Sequence, residues 1–436
     1  MNRKEAEDFV YKSYLKAEKY QEYKAKDSEK RRPDLTEQII KKRGGTPCVL
    51  VTGSKGKGSI ANMISQILQT SYKVGLMTSP HIIDFCERFK VDGQNITDEE
   101  FVRCMDRVRP EIDEIDEHIP QNVCVSPMGI QATLGLEYFN QAHTDFNVME
   151  CGKGVKYDDV NNVTHQYAII NSIFLEHTRE LGNTLEAIAD DKSHIITGEQ
   201  KCVYVAEQDK QALEVIQRRA EQFHTPVKCY GRDFKAEHIR FSNNGMIFDV
   251  RIADEYYTDI MVPLMGEHQA KNCALAMAFC RDILGGFEIE RVKQKLAAMN
   301  WPGRMAVLSA DPFIMLDACI NEASCADIKK VLRNLKIDQA TVIIGIPDDK
   351  DYLGVVRSVN EVAGAIILTK SQNPHYIFTP EQCVKAHEAN IDTVWGESLE
   401  ISINSAKSMH NPIVILGTTS VIAEVKRLQL ETDIFS

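Results

Sequence analysis

At 436 residues, 43% hydrophobic and 26% charged, the chain is too long for one ordinary core and has the make-up of a globular protein of two or three domains. Its formal net charge of −12 argues against a general nucleic-acid binder, which would carry a basic surface. No run approaches the ~18 apolar residues of a membrane span, and no apolar signal segment follows Met1 to Glu5, so neither a nucleic acid nor a membrane is expected as a partner.

Residues 1–44 read as a helical lead-in, with Phe9, Val10, Tyr14 and Leu15 recurring among charges. Pro33 breaks the pattern, and Leu35 to Lys42 starts another helix. The stretch 1–45 holds 13 Lys/Arg against 9 Asp/Glu, an excess that a solvated helix explains better than a polyanion site. Strand-like runs then lie at 47–52, 73–77, 146–150, 167–173 and 201–205 with helical patterns between them, the rhythm of a parallel sheet flanked by helices.

The first run, Cys48-Val49-Leu50-Val51-Thr52, leads into Gly53-Ser54-Lys55-Gly56-Lys57-Gly58-Ser59, and Ile60 to Leu68 reads as a helix. Strand, glycine loop and helix N-terminus make a phosphate cradle, in which backbone N–H groups and the positive end of the helix dipole face an anion. Lys57 is placed to pair with the terminal phosphates of ATP and Ser59 to hold Mg²⁺. The frame is two residues tighter than the common P-loop, and a bare Gly/Lys cluster also suits a surface turn. The strand before it and the helix after it favour the phosphate.

The stretch 228–262 reads as β-hairpins closing the first domain, and helices follow at 267–284 and 287–299. Trp301-Pro302-Gly303 is a hard break. Beyond it the rhythm restarts with strands at 313–316, 340–346, 365–369 and 412–416 and a helix from 324. The expected fold class is α/β: a P-loop ATPase domain with a parallel central sheet and a small β-hairpin element, then a smaller Rossmann-like C-terminal domain. The expected divisions are 1–44, 45–300 and 303–436. Twelve cysteines lie scattered with no Cys-x-x-Cys pair, and Cys48, Cys151, Cys273 and Cys280 sit in apolar runs. They read as small buried thiols of a reducing, cytoplasmic location.

Six motifs fall in order along the chain. After the glycine loop come Thr78-Ser79-Pro80-His81 leading into Glu87-Arg88, then Glu150-x-Gly152-x-Gly154 with Asp158 and Asn161. Leu175-Glu176-His177-Thr178 with the run Leu181 to Ala189 and Lys192, then Gly266-x-His268-Gln269-x-x-Asn272, then Trp301-Pro302-Gly303-Arg304 complete the set. Over roughly 45–430 this resembles the folylpolyglutamate synthase/dihydrofolate synthase branch of the Mur ligase superfamily.

The resemblance implies an ATP-dependent ligase that phosphorylates a carboxylate and joins it to an amino acid or amine. In that family Ser59, Ser79 and Glu150 would hold one Mg²⁺, and His177 with Lys192, carbamylated into an oxygen ligand, a second. Lys57 would stabilise charge on the β- and γ-phosphates, and Arg304 would reach the γ-phosphate. Gln269 and Asn272 would sit near the base or ribose, and Asp317 near the ribose or the cleft between domains, with His268 structural. The bland alternatives stay open: Lys192 as an ordinary surface lysine in Asp190-Asp191-Lys192, and Arg304 as a linker ion pair.

Three departures qualify the likeness. Asp317-Ala318-Cys319-Ile320-Asn321-Glu322 stands where the family has Asp-Gly-Ala-His-Asn-Pro, in the region facing the incoming amino acid. Pro127, Met128 and Gly129 replace an aromatic-aromatic-Glu pattern on the acceptor side. Lys153, Val155, Lys156 and Tyr157, and late in the chain Gly417-Thr418-Thr419-Ser420, also differ. The expectation is therefore a small-molecule carboxylate acceptor other than folate. A genuine folylpolyglutamate or dihydrofolate synthase and a non-catalytic ATP-binding regulator are the alternatives, and a monomer or weak dimer is the expected state.

Overall fold

A strand with apolar side chains on both faces needs cover on both sides, and all five residues of the strand Cys48–Thr52, β1, are buried. The computed structural model describes residues 1–20, 31–373, 376–432 and 434. In chain order there follow β2 (Val74–Met77), β3 (Phe89–Val91), β4 (Gln94–Asn95), β5 (Phe146–Glu150), β6 (Tyr167–Ile170), β7 (Cys202–Val205) and β8 (Val227–Cys229). They form one sheet in the order β4-β3-β2-β5-β1-β6-β7-β8. From β2 to β8 every neighbouring pair is parallel, and β3 and β4 run antiparallel at one edge. The carboxyl ends of β2, β5 and β1 therefore lie side by side, the place where open α/β sheets bind ligands.

A three-stranded sheet of β9 (Phe234–Ser242), β10 (Gly245–Ile252) and β11 (Glu255–Val262) follows. The expected hairpins are these three; Val227–Cys229, inside the same stretch, instead extends the large sheet. Helices Glu267–Leu284 and Ile289–Ala297 come next. A second large sheet holds β12 (Ala306–Ala310), β13 (Phe313–Asp317), β14 (Ala340–Gly345), β15 (Ala363–Thr369), β16 (Val394–Gly396) and β17 (Ile413–Gly417), in the order β12-β13-β17-β14-β15-β16. Only β12 is antiparallel there. The chain divides into two compact units. One takes Met1–Lys235, Val250–Tyr256 and Lys271–Lys295; the other takes Ala236–Asp249, Tyr257–Ala270 and the chain from Leu296.

The helical reading of 1–44 is met at Arg3–Glu18 and Glu37–Lys41, and its middle, 21–30, lies outside the described residues. Helix Arg3–Glu18 packs on helices Asp98–His118 and Pro127–Ala142. Among the described residues of this stretch, Lys12 pairs with Asp113 at 3.0 Å, Lys16 with Asp116 at 2.8 Å and Arg43 with Glu137 at 3.0 Å. All twelve cysteines are free, and eleven are buried. Among the described residues no helix is long and apolar enough to cross a membrane.

Buried Asp159 pins the N-terminal segment to this unit. It accepts from the Thr36 hydroxyl at 2.6 Å and from the Ser126 hydroxyl. Ser126 in turn caps helix Pro127–Ala142 by accepting from the N–H of Gly129 at 3.0 Å, with Pro127 in the first turn where its missing N–H costs nothing. Burial pushes the Asp159 carboxyl up to about 6. The folded chain thus holds that proton more tightly than the unfolded chain, so stability is greatest below pH 4 for this group and is lost as pH rises through 6. Over that window the loss is roughly 2 kcal/mol. Asp159→Asn removes the titrating group, so urea denaturation at pH 4.5 and pH 7 should differ by roughly 2 kcal/mol less in the variant than in the parent chain.

Candidate active site

The glycine-lysine loop begins directly after β1. Gly53 has φ 138° and Gly56 φ 78°, conformations that L side chains rarely adopt. Space excludes a side chain as well. A Cβ on Gly53 would lie 2.6 Å from Asn171 Cβ, and one on Gly56 would lie 2.9 Å from Asn171 Nδ2 and 3.0 Å from Asn272 Nδ2. Gly56 precedes helix Lys57–Leu68 and supplies no side-chain cap. The first-turn N–H groups and the positive dipole end are therefore presented to a ligand.

The segment after β6 holds the loop from behind. Asn171 N–H donates to Thr52 O at 2.8 Å, Asn171 Nδ2 to Lys55 O at 2.6 Å, and Ser54 N–H to Ser172 O at 3.0 Å. Phe174 N–H donates to the Ser54 hydroxyl at 3.1 Å, and Lys55 Nζ lies 5.7 Å over the Phe174 ring. The strand expected over 167–173 stops at Ile170 because these residues serve the loop instead of the ladder.

Lys57 is folded onto its own loop, Nζ donating to Gly53 O at 3.2 Å and Ser54 O at 3.4 Å. Lys192 is fully buried, not a surface lysine. Its Nζ donates to Gly53 O at 2.9 Å and Lys153 O at 2.7 Å and pairs with Glu176 at 3.2 Å. Burial, and next the charge of Lys57, push its pKa down, while Glu176 opposes them. Sequence reasoning gave Glu176 no role; its position beside His177 was the available signal. His177 itself is exposed at φ 45°, and no hydrogen bond joins it to Lys192.

Ser79 and Glu150 do meet. Ser79 N–H donates to Glu150 Oε2 at 2.9 Å, and Glu150 is buried at the end of β5 opposite Val51 of β1. Ser59, in the first turn of helix Lys57–Leu68, has a buried hydroxyl with no hydrogen-bond partner. The orphaned Ser59 hydroxyl, in the helix that follows β1, and the buried Glu150 carboxylate, at the end of the neighbouring β5, are oxygen donors of the kind that suits a hard cation retaining water and phosphate ligands. Among the described residues no group of three or more His, Cys, Asp or Glu is placed to hold a metal.

Asn272 is buried against Gly56 in the first unit. Gln269 is also buried, its N–H donating to Gly266 O at 2.9 Å, and the His268 ring lies 3.7 Å from Asp327. Arg304 and Asp317 belong to the second unit. Arg304 is exposed, and the Asp317 carboxylate accepts from Met305 N–H at 2.8 Å. In the loop after β13, Asn321 accepts from Ser324 N–H at 3.1 Å and Ile320 is exposed.

Residues 51–280, over half of the 436, match the Mur ligase middle domain, and the chain belongs to the Mur ligase family. Folylpolyglutamate synthase of Lacticaseibacillus casei is 28% identical over 385 residues, covering 87% of this chain and 89% of that protein. Dihydrofolate synthase/folylpolyglutamate synthase of Bacillus subtilis (strain 168) is 27% identical over 387 residues, covering 86% and 89%. A solved FPGS–AMPPCP–folate complex has a TM-score of 0.78 at 26% identity, covering 99% of this chain and 100% of that one. The expected α/β fold class stands, and the chain is an ATP-dependent ligase of Mur type. These relatives support the folate-ligase alternative better than the expected non-folate acceptor, and an enzyme over a non-catalytic ATP binder.

Ser59 gives a direct check of the expected Mg²⁺ site. An unsatisfied buried hydroxyl costs about 1–3 kcal/mol, so Ser59→Ala should leave the ligand-free melting temperature unchanged or raised. The same variant should lose most of the additional thermal stabilisation that Mg²⁺ gives to ATP. A drop in ligand-free stability with an intact Mg²⁺–ATP shift would remove Ser59 from the cation site.

Proposed function

We propose that this protein is a folylpolyglutamate or dihydrofolate synthase, joining L-glutamate to a folate-type carboxylate with formation of ADP and phosphate. The observation that carries this reading is the cradle at the ends of β1, β5 and β2, where Gly53 to Ser59, Glu150 and Ser79 converge, in a chain alike over nearly its whole length to enzymes so named. The roles below rest on the geometry of the loop and on the resemblance of the motifs.

A carboxylate resists attack by an amine because its charge is delocalised and it has no leaving group. In the first step a carboxylate oxygen of the acceptor attacks the γ-phosphorus of ATP, and the bond to the bridging oxygen breaks with ADP leaving. In the second the amine nitrogen attacks the acyl carbon, and phosphate leaves as the amine loses its proton. Two anions must meet in the first step, so the site has to supply positive charge. The N–H groups from Gly53 to Ser59 cradle the phosphates, and Lys57 exchanges the Gly53 carbonyl for the β- and γ-phosphates. Ser59, Ser79 and Glu150 would hold one Mg²⁺; on the motif resemblance, His177 with Lys192 would hold a second once carbamylation releases Lys192 from Gly53 O, Lys153 O and Glu176. Bound magnesium would neutralise charge between nucleotide and carboxylate. Asn272, Arg304 and Asp317 would serve the nucleotide, and the proposed divisions are a central domain 45–300 and a C-terminal domain 303–436. The free, buried thiols fit a cytoplasmic enzyme.

Purified protein given ATP, Mg²⁺ and L-glutamate with dihydropteroate or tetrahydrofolate should form the glutamylated product, seen by mass spectrometry, with one ADP per bond. Failure to release ADP with either acceptor would sink the folate reading. Lys57→Met should lower kcat by about 10²–10³-fold, as expected for loss of one group aimed at developing charge.

A further inference from the structure

One buried cation near this cradle lacks an anionic partner. Arg88 is 9% exposed and forms no ion pair among the described residues. Its Nε donates to His81 Nδ1 at 2.9 Å, its Nη1 donates to Gln131 Oε1 at 2.5 Å, and the guanidinium lies 5.0 Å over the Phe85 ring. Nη2 makes no hydrogen bond, so part of the donor fork is unused. Burial pushes the pKa of this guanidinium down, and Glu150 acts on it only through space.

The partners are themselves fixed. Gln131 Nε2 donates to Pro127 O at 2.9 Å, which turns the amide oxygen toward Arg88. His81 Nδ1 lies 2.9 Å from Arg88 Nε, and a guanidinium N–H can only donate, so that ring nitrogen is the acceptor of the pair. The backbone sets the position: Thr78 N–H donates to Arg88 O at 3.0 Å, and the next residue, Ser79, donates to Glu150 at 2.9 Å. Arg88 therefore belongs to the same sheet end as Glu150 and the glycine loop. Packed only for stability, a buried arginine would be paired with a carboxylate, because an uncompensated buried charge is costly.

We propose that Arg88 binds the acceptor carboxylate that is to be phosphorylated, through the guanidinium N–H groups that the protein leaves unused, with His81, Gln131 and Phe85 as its positioning residues. The proposal rests on the ligase reading above. A planar guanidinium matches a planar carboxylate in two parallel hydrogen bonds, which an ammonium cannot do. Neutralised in this way, the carboxylate approaches the γ-phosphoryl group at lower cost. When one of its oxygens forms the new P–O bond and ADP departs, Arg88 remains on the other oxygen and polarises the acyl carbon for the amine. Gln131 lies in the segment 126–131, so this segment reaches the acceptor through Arg88.

An oxyanion at Arg88 could also come from the nucleotide, so the test measures both. The full-length chain and its Arg88→Gln and Arg88→Lys variants are titrated with AMPPCP and Mg²⁺, with dihydropteroate by calorimetry, and with 4-aminobenzoate by saturation-transfer NMR. Arg88→Gln should weaken both carboxylates at least tenfold and raise the acceptor KM by a similar factor, with AMPPCP affinity within twofold. Arg88→Lys should recover only part of the loss. Weakened AMPPCP binding with unchanged carboxylates would assign Arg88 to phosphate, and no change in either would make it structural; both overturn the proposal. Wild-type protein that binds 4-aminobenzoate but not dihydropteroate sinks the folate reading, and Arg88 is then judged on 4-aminobenzoate. Wild-type protein that binds neither overturns both. If Arg88→Gln fails to fold, Gln131→Leu, which frees the guanidinium without removing it, should raise the acceptor KM several-fold at nearly constant kcat and unchanged AMPPCP affinity. An unchanged KM there overturns the proposal.

Discussion

The carbonyl oxygen of Gly53 accepts hydrogen bonds from both Lys57 and Lys192, and the rest of the site is arranged around that oxygen. A peptide unit has two polar ends, and binding one fixes the other. With Gly53 O held by two ammonium groups and Lys55 O held by Asn171, the carbonyls of the loop are occupied from behind. The N–H ends are left for an anion in front. The arrangement requires glycine at 53 and 56, where both the backbone angle and the nearness of Asn171 exclude a side chain.

The buried charges of this unit divide by how they are satisfied. Lys192 uses its donors on two carbonyls and Glu176, and Arg43 is bracketed by Glu111 and Glu137. Asp159 accepts from two hydroxyls. Arg88 is different in kind, since its partners are neutral and occupy only part of its fork. Arg43 and Asp159 are thus completed by the protein, while Arg88 stands at the end of the sheet where a substrate is expected.

Much of this was legible in the sequence. The strands expected at 47–52, 73–77, 146–150 and 201–205 lie within a residue of β1, β2, β5 and β7, because strands buried on both faces are written as continuous apolar runs. The glycine loop was legible because strand, loop and helix are contiguous. What the sequence concealed were contacts between distant segments. Glu176 as the partner of Lys192, and Gln131 as the partner of Arg88 across 43 positions, leave no local pattern. The early end of β6 was hidden for the same reason: Asn171 and Ser172 sit in an apolar stretch but bond to the loop.

The substitutions at 126–129 suggested an acceptor other than folate, and the structure gives them another cause. Ser126 caps a helix and holds Asp159, and Pro127 occupies a first-turn position that favours proline. A Cβ on Gly129 would overlap Asp159 Oδ1 and lie 2.7 Å from Thr36 Cγ2. These residues join the N-terminal segment to the central unit, so their change reflects how that segment is fastened. The acceptor is reached one turn further along, by Gln131 acting on Arg88. With Pro127 and Gly129 explained by packing, the expectation of a non-folate acceptor loses its main support, whereas the exposed Ile320 has no such packing cause.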